Sequence, residues 1–332
     1  RFDEALIHRI CGLLEVNSFE VPTACGWGAR AVYPFAAVLS HNCVANTAHT
    51  VHPHDNFRLK LRTTVDVPAG GELFCSYTSS LSPTLARREA LNNGKYFWCD
   101  CSRCSDPTEC NTYLGAVMCS ACIESTSPGV LLSNNPLDPE SDWGCTHCNA
   151  NFPGVEVQRL VDRISEEVES EVDSLPFGPE KLGAAERAMK KYGSVLHANH
   201  ALNIGLAHTL IQLYGRVEGY AIQELPEVLL ERKVQLCRRL LNVLDVVEPG
   251  LTRIRGLTLY EYHLALLILA RSKFERNTLG ADQFKDAILE VRDALKESVK
   301  TLCLEPESSH EGLLGRRSSE SLKQLQESIE DL

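Results

Sequence analysis

Three cysteines within six residues form the first group in this sequence whose types and spacing suit a chemical task. Cys99, Cys101 and Cys104 follow a C-x-C and then a C-x-x-C spacing. Such tight spacing favours metal ligation over a disulfide framework, and zinc thiolates suit a reducing compartment. A tetrahedral zinc takes four ligands. The fourth ligand must therefore come from elsewhere in the chain, and Cys110 is one candidate.

Two further cysteine pairs follow downstream. Cys119 and Cys122 form one C-x-x-C pair, Cys145 and Cys148 form another, and 22 residues separate the pairs. Paired C-x-x-C segments at such a distance indicate a structural zinc site that orders a loop-rich region. His147 lies inside the second pair and is an alternative ligand, but four thiolates are the simpler expectation.

A histidine and a tyrosine stand in two short segments upstream of these cysteines. His41 lies in residues 39–46, Leu-Ser-His-Asn-Cys-Val-Ala-Asn, and Tyr77 ends residues 70–77, Gly-Gly-Glu-Leu-Phe-Cys-Ser-Tyr. Alone, a tyrosine at the end of a strand usually packs in a core or an interface. A histidine in a turn is usually a polar group with its hydrogen bonds satisfied. Neither residue by itself predicts catalysis.

The order and spacing of these segments resemble the C-terminal half of a SET-domain lysine methyltransferase, specifically the SET-and-MYND family as it occurs in arthropods. The resemblance implies an α+β fold: the C-terminal part of a SET β-fold with a post-SET zinc site and a zinc ribbon, followed by an all-helical domain similar to tetratricopeptide arrays. The expected boundaries are 1–80 for the SET part, 81–110 for the post-SET segment, 111–154 for the ribbon, 155–304 for the helical domain and 305–332 for a polar tail.

The resemblance also implies roles for individual residues. Tyr77 matches the tyrosine at the methyl-transfer point. The positions expected to bind S-adenosylmethionine are Asn17, Ser40, His41 and Phe97. The fourth ligand of the post-SET zinc is Cys43, which would join Cys99, Cys101 and Cys104.

Several positions depart from the family pattern. Ser40 replaces the usual asparagine before the histidine, Asn42 the usual serine after it, and Ala45 the usual proline, while Lys95 stands where the flap often has tyrosine. The resemblance places the family's Gly-x-Gly strand and its MYND zinc finger before the helical segment with which this sequence opens. We therefore expect a C-terminal fragment of a longer product, which by itself binds S-adenosylmethionine weakly or not at all.

Composition and net charge limit the classes of partner that this chain can bind. The chain has 332 residues, 44% hydrophobic content and a formal net charge of −11. This acidity disfavours nucleic acid as a partner, because phosphate binding needs clustered Lys and Arg. The resemblance implies that the helical domain lies across the SET face and shapes the substrate groove, so its acidity would favour a basic, lysine-bearing protein substrate, histone or non-histone. We expect no membrane segment, a monomer, and an intracellular location in the cytoplasm, the nucleus or both.

Hydrophobic periodicity predicts the elements that position these residues. We expect a helix over 2–14, a short strand over 15–21, a hairpin arm over 55–67 that turns at 68–71 into a strand over 72–77, and a helix over 83–96 with Arg87, Arg88 and Glu89 exposed. Six helices then follow, over 155–172, 181–192, 201–214, 226–247, 252–273 and 281–303. From Glu305 we expect poor order until a last helix at 319–331.

Two functions of different classes fit this sequence. One is an S-adenosylmethionine-dependent protein-lysine N-methyltransferase, present here as a partial chain. The other is a non-catalytic, zinc-stabilised module that binds partner proteins.

Overall fold

The computed structural model describes residues 3–21 and 28–330. Its first elements are a helix and an antiparallel pair of strands. Helix α1 (Glu4–Asn17) begins at Asp3, whose side chain accepts a hydrogen bond from the Ala5 amide at 3.4 Å. Strand β1 (Ser18–Val21) pairs antiparallel with β2 (Ala29–Val32). The prediction of a strand over 15–21 is therefore wrong for its first half, because α1 continues through Asn17.

Four short strands build the region around residues 40–75. β4 (Thr47–His52) and β5 (Arg58–Thr63) form an antiparallel hairpin, and β3 (Ser40–His41) pairs in parallel with β6 (Phe74–Cys75). The predicted hairpin between 55–67 and 72–77 is wrong. The side chain of Asn46 accepts a hydrogen bond from the Phe74 amide and donates one to the Glu72 carbonyl, both at 2.8 Å. These bonds hold β6 beside β3 instead of β5.

Two helices and a small sheet follow. α2 (Thr84–Lys95) agrees with the predicted helix, and α3 (Ser102–Ser105) is a single turn. Four antiparallel strands in the order β10-β9-β8-β7 form the sheet of the second cysteine region. These strands are β7 (Val117–Met118), β8 (Val130–Ser133), β9 (Trp143–Cys145) and β10 (Asn151–Phe152).

The remaining chain is helical and contains most of the hydrophobic core. The six predicted helices agree with the structure within a few residues, apart from a π-helical turn that extends the first of them over Glu169–Asp173. None of the described helices is long and apolar enough to cross a bilayer. The helices are α4 (Gly154–Val168), α5 (Pro179–Tyr192), α6 (Ala201–Leu213), α7 (Glu227–Val247), α8 (Arg253–Glu275) and α9 (Ala281–Leu302).

A last helix, α10 (His310–Glu330), packs on α9. The prediction of poor order from Glu305 to residue 318 is wrong. Glu305 is buried and pairs with Arg62 at 3.3 Å. A Cβ on Gly315 would lie 2.8 Å from the backbone at the end of α9, so this glycine lets the two helices approach closely.

The turn between α7 and α8 docks the helical region onto the strands. The Leu251 amide donates to the Thr64 carbonyl at 2.9 Å. Gly250 has a φ of +80°, and a Cβ there would lie 2.0 Å from the same carbonyl oxygen. Only glycine fits this left-handed, close approach. The Ser80 hydroxyl donates to Glu248 beside it. These contacts place the strand region against the helices.

Candidate functional site

The first cysteine cluster consists of Cys43, Cys99, Cys101 and Cys104, whose sulfurs all lie within 4.8 Å of one another. The Cys43 sulfur is 3.9 Å from that of Cys99 and 3.5 Å from that of Cys104. A tetrahedron with Zn–S bonds of about 2.3 Å has edges of about 3.8 Å. The four sulfurs therefore match the size of one zinc site, and Cys110, the other candidate from the sequence, lies outside the cluster.

The thiols of this cluster share protons unequally. Hydrogen bonds from the neighbouring thiols, that of Cys104 foremost, lower the pKa of Cys101. The bonds to Cys101 raise the pKa values of Cys43, Cys99 and Cys104. One thiolate is thus stabilised by three thiols. Such a donor set suits a divalent cation that displaces the remaining protons.

A buried ion triad lies directly beside these thiols. Arg87 and Arg103 are fully buried, and each donates to the Oε2 atom of Glu109, at 2.6 and 3.0 Å. Arg87 also donates to the Cys104 sulfur at 3.5 Å, and Arg103 to the Cys43 carbonyl at 3.2 Å. Because the triad carries a net positive charge, it offsets the negative charge that bound zinc with four thiolates would carry.

The prediction that Arg87 and Arg88 are exposed is wrong, because both are buried. Arg88 donates through Nε to the Cys99 carbonyl at 2.9 Å and so fixes the loop that carries the cluster. The sequence did contain a signal. Thr84, Arg87, Arg88 and Leu91 share one helical face, and all four are buried.

The second cluster joins the two C-x-x-C pairs. The sulfurs of Cys119 and Cys148 lie 3.8 Å apart, and those of Cys122 and Cys145 lie 3.7 Å apart. Although desolvation opposes it, backbone N–H groups of the 145–148 turn lower the pKa of Cys145 to about 7. His147 is exposed and stands outside the cluster, which leaves four thiols that also match a tetrahedral zinc site.

The parallel pairing of β3 with β6 brings His41 beside Tyr77. The backbone N–H of Tyr77 donates to Nδ1 of His41 at 3.0 Å, and the Tyr77 hydroxyl donates to the Leu39 carbonyl. The His41 ring centroid lies 5.3 Å from that of Tyr77 and 6.0 Å from that of Phe97. Three side chains from separate segments thus form one aromatic group.

The protonation of this group follows from its surroundings. Burial lowers the pKa of His41 below the usual imidazole value, so the ring is neutral at pH 7. Because Nδ1 accepts the Tyr77 amide, the proton resides on Nε2, which lies 3.3 Å from the Cys43 sulfur. Burial raises the pKa of Tyr77, which keeps its hydroxyl protonated. His41 therefore bridges the first cysteine cluster to Tyr77.

Lys95 closes one side of this aromatic group. Its Nζ atom lies 5.2 Å from the Tyr77 ring centroid and donates to the Val16 carbonyl at the end of α1. The next residue, Asn17, uses its amide to donate to the Leu13 carbonyl at 3.1 Å.

Two of the residues expected to bind cofactor stand apart from the group. Within the described ranges, the side chains of Asn17 and Ser40 make no hydrogen bond with His41, Tyr77 or Phe97. The structure thus brings together His41, Tyr77 and Phe97, without hydrogen bonds from the side chains of Asn17 and Ser40.

Large apolar side chains near this group are exposed. Phe35 is 94% exposed, Val38 78% and Tyr96 75%. In α1 no described residue is buried, and its apolar side chains are about half exposed; they are Leu6, Ile7, Ile10, Leu13 and Leu14. The row of half-exposed apolar side chains along α1 favours a contact surface.

Comparison with known proteins adds independent information. The chain is 33% identical over 172 residues to SET domain-containing protein SmydA-8, isoform A, of Drosophila melanogaster, an alignment that covers 51% of the chain and 36% of the relative. It is 35% identical over 75 residues to N-lysine methyltransferase SMYD2-B of Danio rerio, covering 23% of the chain and 17% of the relative. Human N-lysine methyltransferase SMYD2 is 29% identical over 75 residues, which are again 23% of the chain and 17% of the relative.

The matched segment spans about a third of the length of SmydA-8 isoform A. No protein-family model matches the chain.

Proposed function

Because the chain is a SmydA-like member of the SET-and-MYND (SMYD) family, we propose that it supplies part of the active site of a protein-lysine N-methyltransferase. The two Drosophila relatives are named as SET domain-containing proteins and the vertebrate relatives as N-lysine methyltransferases. The proposed acceptor is the lysine side chain of a partner protein. S-adenosylmethionine, when bound, supplies an electrophilic methyl group on its sulfonium.

The observation that carries this proposal is the group of His41, Tyr77 and Phe97 beside the first cysteine cluster. Methyl transfer to an amine is an in-line displacement, which requires alignment and a polar, water-poor surrounding more than a strong base. The protonated Tyr77 hydroxyl and the Leu39 carbonyl lie within hydrogen-bond distance and provide two neighbouring oxygen atoms for this polar surrounding. The rings of His41 and Phe97 supply a wall that excludes water.

Zinc in the first cluster would support this group through His41. Cys43 follows β3 directly, so its ligation fixes the end of that strand and the ring that faces its sulfur at 3.3 Å. Zinc in the second cluster would order the ribbon, which contributes only short strands. Both roles are structural. Eight reduced thiols also favour an intracellular location.

The exposed apolar side chains explain why we propose incomplete activity for this chain alone. Phe35, Val38 and the apolar face of α1 lie open, and within the described ranges the side chains of Asn17 and Ser40 make no hydrogen bond with the aromatic group. Further polypeptide that covers this surface would complete a cofactor pocket. The chain by itself should then bind S-adenosylmethionine weakly.

A non-catalytic interaction module is the second candidate, and the same exposed surface favours it. In that case the surface binds a partner protein without forming a cofactor pocket. The two functions differ in one respect: only the enzyme gains S-adenosylmethionine affinity when the surface is covered.

Isothermal titration of S-adenosylmethionine into the zinc-loaded chain, and into a longer product that includes the covering polypeptide, tests the proposal. We expect weak or no binding by the chain and one-to-one binding by the longer product. Tight one-to-one binding by the chain alone would show that the pocket is already complete. No binding by a folded, zinc-loaded longer product would refute the enzyme and favour the interaction module.

A further inference from the structure

A cavity of about 270 Å³ lies where α2, the ribbon and helices α4 and α6 meet, apart from the His41 group. Its walls include Thr84 of α2, Trp143 of β9, Val157 and Val161 of α4, and His200 before α6. We propose that this cavity is a second binding site, which takes a basic side chain of a partner protein together with its adjoining backbone carbonyl. This proposal does not depend on methyltransferase activity.

The charges around the cavity favour a cation. No Lys or Arg occurs among the described residues that line it. Asp106 lines it but already accepts hydrogen bonds from Thr108 and from the Cys110 amide. Three further carboxylates also line it, those of Glu89, Asp138 and Asp162. These three carboxylates form no ion pair within the described ranges. Glu109, which also lines the cavity, is already neutralised by Arg87 and Arg103. A positively charged ligand would therefore gain attraction from carboxylates that have no ion-pair partner among the described residues.

His200 provides a second, independent indication of a ligand. It is only 1% exposed, and its Nδ1 accepts a hydrogen bond from the Leu202 amide at 3.2 Å. Burial lowers the pKa of His200 to about 4, so the ring is neutral and its proton resides on Nε2. This Nε2–H has no hydrogen-bond partner among the described residues, although the ring lines the cavity.

A donor without a protein partner is available to an acceptor on a ligand. A peptide carbonyl provides such an acceptor. Bare small cations do not, which is why we assign the ligand to a protein segment.

The apolar walls suit the stem of a long basic side chain. Val157, Val161 and the half-buried ring of Trp143 line the cavity. Lys and Arg pack their methylene groups on such surfaces while their charged ends stay near carboxylates. A guanidinium or ammonium over an indole ring gains further attraction. The site thus combines an apolar wall, carboxylates and one hydrogen-bond donor.

The test is an NMR titration of the zinc-loaded, ¹⁵N-labelled chain. The probe is acetyl-Ala-Arg-Ala-amide, and its matched neutral control carries citrulline in place of arginine. The Trp143 indole signal, assigned with Trp143→Phe, reports on the cavity. We expect a saturable shift with the arginine peptide and at least tenfold weaker binding of the citrulline peptide, since a charge-assisted contact is lost.

Substitutions of residues that line the cavity test whether the arginine peptide binds there. Asp138→Asn and Asp162→Asn remove charge while keeping the side-chain oxygens that accept from the Glu140 amide and from Gln158. We expect the double variant to bind the arginine peptide about tenfold more weakly. His200→Asn keeps a side-chain acceptor that can cap α6 but removes the Nε2–H donor, so it should also weaken binding of the arginine peptide. Asp282→Asn, an exposed charge at the start of α9, is the matched control and should have no effect.

Four results would overturn the proposal. The first is equal binding of the citrulline peptide, and the second is full binding by the Asp138→Asn/Asp162→Asn double variant. The third is spermidine binding at the same signal as tightly as the arginine peptide, which would replace the protein segment by a free polyamine. Absence of any shift up to the solubility of the peptide would likewise contradict it.

Discussion

The Nδ1 atom of His41 accepts the backbone N–H of Tyr77 at 3.0 Å, while the Nε2 atom of the same ring lies 3.3 Å from the Cys43 sulfur. One imidazole therefore joins a proposed zinc ligand to the proposed methyl-transfer tyrosine. Because both ring nitrogens are engaged, the ring cannot rotate without losing a contact. Order in the cysteine cluster should thus determine order at Tyr77.

Tyr77→Phe should lower the rate of lysine methylation by a longer, active product about a hundredfold. The substitution removes the hydroxyl that donates to the Leu39 carbonyl but keeps the ring that packs beside His41. The measurement is single-turnover methylation of a protein substrate. Tyr220→Phe is the control and should be neutral, because the Tyr220 ring packs on Tyr214 after α6 and its hydroxyl makes no hydrogen bond among the described residues. An unchanged rate in Tyr77→Phe would rule out the assigned role.

Cys104→Ser should reduce the zinc content from two ions per chain to one. Cys104 is fully buried in the first cluster, so its loss leaves three thiols around the metal. Zinc is measured by elemental analysis after dialysis, and thermal unfolding should begin at a lower temperature because metal binding is coupled to folding. Cys110→Ser, outside both clusters, should retain two ions. Loss of zinc in Cys110→Ser instead would show that the ligand set is different.

Glu109→Gln should destabilise the chain by about 3–5 kcal/mol, because it leaves two buried guanidinium groups without their carboxylate. Both Arg87 and Arg103 donate to Glu109 Oε2. The same substitution at Glu15, whose pair with Arg30 is exposed, should cost less than about 1 kcal/mol. Urea unfolding of the zinc-loaded variants measures both values. Equal effects at the two sites would contradict the importance of the buried triad.

The free energy of unfolding should decrease as the pH is lowered, and His263 should account for part of this decrease. Burial lowers the pKa of His263 from 6.5 to about 4. The unfolded chain then binds a proton between these pH values that the folded chain does not. The stabilisation is complete above pH 6.5 and decreases as the pH falls toward 4, by about 1 kcal/mol between pH 7.5 and 5.5.

His263→Phe removes this titration, and little hydrogen bonding is lost because Nδ1 has no partner among the described residues. Urea unfolding at the two pH values should therefore show a smaller loss in the variant than in the unmodified chain. His8→Phe, at an exposed position of α1, should leave the loss unchanged. A pH dependence that persists fully in His263→Phe would assign the effect to other groups.

Much of the helical region could be predicted from the sequence. The period of apolar residues located α4 to α9 within a few residues, because a helix that buries one face repeats this pattern along its own sequence. The prediction for residues 305–318 was wrong because no strong apolar period marks the helix there. Helix α10 is polar, and its early start depends on the close approach of Gly315 to the end of α9, which no local pattern shows.

The sequence alone determined seven of the eight clustered cysteines through spacing, since the C-x-C and C-x-x-C pattern is a local property, and family resemblance supplied the eighth, Cys43. Only the tertiary structure decided which distant residues meet. It paired β6 with β3 instead of β5, placed Tyr77 on His41, and buried Arg87 and Arg103 against Glu109. Such contacts join residues far apart in the chain and depend on packing of the whole molecule, so periodicity and spacing carry no record of them.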